Sequence, residues 1–149
     1  MSPAVLAVCA PSGTGKTTLL EKTVRLLRKD GWSVGTLKHC HHGIGPEGPG
    51  RDSYRLAEAG AAPSLAIQDP SEVQGLIGSR FHDCDIVLLE GFRRLRHPCF
   101  VLSRGKPDPK WRPPDGPMGV IELSGNGGRA AERLKEAALE LMRERRHQG

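Results

Sequence analysis

The stretch from Ala4 to Gly31, AVLAVCAPSGTGKTTLLEKTVRLLRKDG, constrains the fold more than any other part of the chain. An apolar run, Ala4 to Ala10, passes through a glycine-rich turn straight into a segment whose Leu19, Leu20, Thr23, Leu26 and Leu27 fall at helical spacing, with Gly31 as its stop. Apolar runs and helical patterns then alternate along the chain, the signature of an α/β protein with a largely parallel sheet. Further strands are read at WSVGTLK, ending at Lys38, and at PSLAIQ, DIVLLEG (Asp85 to Gly91), CFVLSR (Cys99 to Arg104) and MGVIELS. Helices are read at DSYRLAEAGA, with Asp52 as a good N-cap and Gly60 as the stop, and at SEVQGLIGSRF. A last helix, GGRAAERLKEAALELMRERR, puts Leu134, Ala138 and Leu141 on one face. HCHHGIGPEGPGRD is dense in His, Gly and Pro, and GKPDPKWRPPDGP holds five prolines in thirteen residues, so both are loops. No internal repeat or second core is visible. Residues 1–149 are therefore expected to form one domain of the P-loop NTPase class, an α/β/α sandwich around a mostly parallel central sheet.

The turn between the first strand and helix carries chemistry. Walker A loops read Gly, four residues, then Gly-Lys-Ser/Thr; here the row is A-PSGT-GKT, Ala10 to Thr17. Backbone N–H groups of Ser12, Gly13, Thr14, Gly15 and Lys16 are expected to cradle phosphate oxygens, with the partial positive end of the following helix behind them. Lys16 adds a point charge toward the β- and γ-phosphates, and the Thr17 hydroxyl is a ligand for Mg²⁺. Ala10 stands where the pattern has glycine. If that position needs a positive φ, alanine costs about 1 kcal/mol there. That is small beside several charge-assisted hydrogen bonds at ~1.5–3 kcal/mol each.

Such sites also use an acid at the end of a buried strand. DIVLLEG offers Asp85 at its start and Glu90 at its end, and ligands gather at the carboxyl ends of parallel strands, which selects Glu90. Asp52 is a further candidate for the Mg²⁺ side, with a helix N-cap as its alternative role. In KHCHHG, Lys38 and the histidines, His39 first, read as cationic donors to phosphates or to a second anionic ligand. The zinc alternative lacks a second ligand pair at a standard spacing. After CFVLSR, the sequence GKPD matches Lys106 and Asp108 of the guanine-reading Asn-Lys-x-Asp pattern but has Gly105 for Asn. A proline-rich surface turn accounts for it equally well.

Composition limits the remaining classes. Hydrophobic residues at 37% and charged residues at 26% describe a soluble globular chain. No apolar run approaches the ~20 residues of a membrane span. MSPAVLAVCAPSG lacks the basic, apolar and cleavage regions of a signal peptide, so the expected location is cytoplasmic. The four cysteines lack any C-x-x-C pairing, and Cys9 lies in an apolar run with Cys84 and Cys99 next to apolar runs, so buried thiols are expected rather than disulfides. A net charge of +5 suits an anionic ligand, whereas aromatics at 4% give no stacking platform, and nucleic acid is not expected as a partner.

Taken in order, PSGTGKTTLLEK, GWSVGTLKHCHHG, PGRDSYRLAEAGA and DIVLLEGFR resemble the molybdopterin-guanine dinucleotide biosynthesis protein B (MobB) family over roughly the first 95 residues. The phosphate loop is shared by many proteins; VGTLKHCHHG followed by RDSYR and LLEGF is far more specific. The resemblance implies a GTP-binding protein with Mg²⁺, at best a slow hydrolase. It would assist the guanylyltransferase partner that attaches GMP to molybdopterin, and would itself form a homodimer. Carried over, the phosphate loop runs from Ser12 to Thr18 and Mg²⁺ falls to Thr17 and Glu90. The family's polar loop maps onto Lys38, His39, His41, His42, Arg51, Asp52, Tyr54 and Arg55, the face where molybdopterin or the partner would approach. Two other classes share the phosphate loop: a small-molecule kinase, for which Arg93, Arg94 and Arg96 are substrate-side candidates, and a metal-delivery GTPase built on HCHH.

Overall fold

A computed structural model describes residues 2–10, 15–40, 49–92, 95–104, 119–123 and 128–148. Six strands, β1 (Ala4–Cys9), β2 (Val34–His39), β3 (Ser64–Ile67), β4 (Ile86–Glu90), β5 (Cys99–Ser103) and β6 (Gly119–Glu122), form one sheet in the order β3-β2-β4-β1-β5-β6. Every pairing in it is parallel. The helices are α1 (Lys16–Lys29), α2 (Pro49–Ala59), α3 (Val73–Ser79) and α4 (Gly128–Gln148). None of the described helices is long and apolar enough to cross a membrane.

Side-chain alternation along the buried strands divides the core in two. Leu6, Val8 and Ala10 of the β1 row, with Ile86 and Leu88 of β4, pack against Leu19, Leu20, Val24 and Leu27 of α1 and Leu134 and Ala138 of α4. Ala7 and Cys9, with Val87 and Leu89, face Val73, Ile77 and Phe81 on the other side. Val24 takes a fully buried place in α1, while Leu26 only packs against the edge of that cluster. Two helix starts differ from the expected ones by more than a residue. SEVQGLIGSRF splits into a 3₁₀ turn, Pro70–Glu72, whose first amides are held by Asp69 accepting from Ser71 N at 2.9 Å, and a short α3. The chain enters α2 at Pro49, so Asp52 lies inside the first turn and is not the N-cap. Proline is well suited to that entry, because its fixed φ matches the helix and its missing N–H is not needed there.

All four cysteines are free and buried, as the sequence suggested. The Cys99 thiol donates to Cys9 Sγ at 3.1 Å, and this bond together with burial pushes the Cys99 thiol far above its ordinary range.

Close packing behind β2 demands glycine at one position. A Cβ on Gly35 would stand 2.4 Å from Phe81 Cδ1 and 3.0 Å from Cys84 Sγ. Phe81 is fully buried and has nowhere to withdraw. Gly35→Ala is therefore expected to destabilise the protein by about 1–3 kcal/mol, seen as a lower urea midpoint. In a double-mutant cycle, Phe81→Leu should recover part of that loss; purely additive effects would place the strain elsewhere.

Candidate functional site

The carboxyl ends of β1, β4 and β2 meet the start of α1, and alternation decides which side chains arrive there. Ile86 and Leu88 point into the α1 side of the sheet, so the next residue of that row, Glu90, points there as well. Lys38 pairs with Glu90 in register on the adjacent strand and lies on the same side. Asp85 remains at the opposite end of β4, where it accepts from Ser33 N at 2.8 Å. The sheet thus separates the two acids of DIVLLEG as the carboxyl-end rule requires.

Gly15 caps α1 with φ of +103°, a left-handed conformation open to glycine at little cost, and no side chain caps the amides behind it. Lys16 donates from Nζ to Ala10 O, just past β1, at 2.8 Å. Its ammonium pKa is lowered, first by desolvation, with Glu90 and Cys9 pulling the other way. Thr17 Oγ1 donates to Glu90 Oε1 at 2.9 Å. Lys38 Nζ contacts Asp52 Oδ2 and lies 4.0 Å from Glu90 Oε1, so one ammonium bridges two carboxylates.

Glu90 is 4% exposed, and its Oε2 has no hydrogen-bond partner among the described residues. A buried carboxylate oxygen without a partner costs more than ~1–3 kcal/mol of desolvation, which a bound cation offsets. The donors that converge here, a hydroxyl and carboxylate oxygens, are hard ligands of the kind Mg²⁺ takes. The residues present fit that ion.

Ala10 is fully buried, and the one non-glycine residue of positive φ among those described is Phe92. The strain allowed for Ala10 on sequence grounds is therefore not incurred. Thr18 faces α2: Arg55 Nη2 donates to its Oγ1 at 3.3 Å while pairing with Glu21 at 2.7 and 2.9 Å. Arg51 is exposed, and so is Tyr54 at 65%, on the same helix as Asp52.

His39 parts company with Lys38. Alternation sends its ring to the opposite face of the sheet, where it stacks on Phe92 with centroids 5.0 Å apart and places Nε2 3.0 Å from Gln68 O. Phe92 itself, with φ of +57°, was missed in the sequence, because a buried aromatic after a strand reads as ordinary core. Ser12, Gly13, Thr14, His41, His42, Arg93, Arg94 and Asp108 lie outside the described residues. Among the described residues, no three His, Cys, Asp or Glu side chains cluster to hold a metal. A cleft of about 400 Å³ opens at the other end of the sheet, where Gln74 Nε2 lies 3.1 Å from His97 Nε2. Burial foremost, and then Arg145, lower the His97 pKa. This cleft shares no residue with the phosphate loop.

The family model for Molybdopterin guanine dinucleotide synthesis protein B matches residues 5–115. The molybdopterin-guanine dinucleotide biosynthesis adapter protein of Escherichia coli (strain K12) is 38% identical over 114 residues, which cover 67% of this chain and 65% of that relative. The chain thus spans just under two thirds of the relative's length. Among solved structures, a MobB protein homolog from Bacillus stearothermophilus superposes with a TM-score of 0.56 at 25% identity, covering 91% of this chain and 98% of that one. HypB from Helicobacter pylori, solved in complex with nickel, gives a TM-score of 0.64 at 16% identity over 97% of this chain and 89% of its own, a likeness of fold.

Proposed function

The chain belongs to the molybdopterin guanine dinucleotide synthesis protein B family, and on that premise we propose that it is a GTP-binding adapter in molybdopterin guanine dinucleotide biosynthesis. The observation that carries the reading is the Thr17–Glu90 hydrogen bond at the start of α1, with a buried carboxylate oxygen left unpartnered beside it. In this reading the phosphate loop, Ser12 to Thr18, holds the triphosphate, and Lys16 leaves Ala10 O to meet its β- and γ-oxygens. Thr17 and Glu90 hold Mg²⁺, whose charge neutralises the phosphate oxygens when it is bound. Lys38 and Asp52 set the charge around Glu90 from β2 and α2. Asp108 remains the candidate for reading guanine, and His39 stands against Phe92 on the far side of β2.

Hydrolysis is slow at most. The partner is the guanylyltransferase that joins GMP to molybdopterin, and the adapter works as a homodimer. Exposed Arg51 and Tyr54 on α2 offer a charged and aromatic surface to that partner or to the pterin phosphate.

Titration with GTP and with ATP, each in Mg²⁺, tests the reading. Clear preference for GTP is expected; preference for ATP, or binding of neither, overturns it. Ala10→Gly should change GTP affinity by less than about tenfold, since glycine relieves no strain at a residue already in an ordinary conformation. A large gain would show that the loop's entrance limits binding.

A further inference from the structure

We infer that Arg104 is a nucleotide-contacting residue, placed on the flank of the phosphate loop opposite Glu90. The inference rests on the GTP-binding reading above. In the sheet β5 lies on one side of β1 and β4 on the other, so their carboxyl ends flank the carboxyl end of β1. Arg104 directly follows β5 and is exposed. Its guanidinium nevertheless reaches back to the start of α1: Nη2 lies 3.3 Å from the point that a Cβ on Gly15 would occupy. Leu123, just past β6, approaches that point at 3.7 Å through Cδ1. The ends of β5 and β6 therefore both close on the residue that caps α1.

An anion on the first amides of α1 lies between two unlike groups of side chains. Toward β4 stand a hydroxyl and a carboxylate, Thr17 and Glu90, joined at 2.9 Å. A carboxylate repels phosphate unless a cation intervenes, so the metal-bearing end of a triphosphate belongs on that flank. Toward β5 stands a guanidinium, which needs no intermediary and can give two parallel N–H bonds to phosphate oxygens. What Arg104 contributes is thus independent of Mg²⁺ and of the γ-phosphate. A lysine in its place keeps the charge but loses the fork.

Affinities of wild type, Arg104→Ala and Arg104→Lys for GTP and GDP, each with Mg²⁺ and with EDTA, test this. Arg104→Ala should weaken all four by about tenfold to a hundredfold, and Arg104→Lys should recover only part. Thermal unfolding of the nucleotide-free variants should match wild type, because the side chain is exposed. Affinities within twofold of wild type overturn the inference, as does a loss confined to Mg²⁺–GTP. A lower melting temperature with unchanged affinities would make Arg104 a packing residue and overturn it equally. The wild-type arm is decisive for the reading beneath: a wild type that binds no guanine nucleotide removes that reading, whereas normal wild-type binding with an indifferent Arg104→Ala removes this inference alone.

Discussion

Lys16→Ala will abolish measurable GTP binding, with a loss of more than about a hundredfold in calorimetric titration. The Lys16 ammonium donates to a backbone carbonyl, Ala10 O at 2.8 Å, in surroundings that depress its pKa, first by desolvation. Such a group gains more from a phosphate than an exposed lysine does, because part of its hydration has already been lost. Two charge-assisted contacts at ~1.5–3 kcal/mol each amount to a factor of roughly 10²–10⁴ in affinity. Lys16→Arg is an informative companion, since it keeps the charge and enlarges the head. If the size of the head matters as well as its charge, it will also bind poorly. Lys16→Ala binding GTP within tenfold of wild type would mean that the triphosphate sits elsewhere.

Glu90→Gln will remove the dependence of binding on Mg²⁺. The amide oxygen can still accept from Thr17 Oγ1, so the hydrogen bond at 2.9 Å has a successor. The charge that draws a cation does not. Affinity for GTP in Mg²⁺ should fall by about tenfold to a hundredfold, while affinity in EDTA changes by less than about threefold. Lys38 keeps Asp52 as its partner, so the fold should tolerate the exchange. An undiminished Mg²⁺ effect would reassign the metal to other residues, and equal losses with and without Mg²⁺ would show that Glu90 acts through the loop's shape.

Much of the fold could be read from local pattern, because its strands are buried on both faces and its helices are amphipathic. Ile86 to Leu89 announce a central strand, and simple alternation then fixes the side on which Glu90 must emerge. Pairing was a different matter. That Lys38 lies beside Glu90 depends on β2 and β4 being neighbours, and nothing local to either strand says so. Asp52 shows the reverse failure: its N-cap chemistry was right for a helix start, but Pro49 starts the helix a turn earlier, so the carboxylate is left to meet Lys38. His39 was grouped with Lys38 because they are adjacent in sequence, which in a strand is the reason they part. Arg104 gave no signal at all. A single arginine after an apolar run has no period, and only the convergence of β5 and β6 on Gly15 distinguishes it.

The place of β1 in the sheet has a consequence for how the protein is made. β1 is hydrogen-bonded to β4 and β5, which begin at Ile86 and Cys99, and it has no earlier strand beside it. On the ribosome, the segment holding the whole phosphate loop emerges well before either of these strands, and it must wait for them before β1 acquires an edge to pair with. Long-range parallel closure of this kind slows folding. A nascent chain that stops short of Ile86 would carry PSGTGKTT entire and still have no cradle.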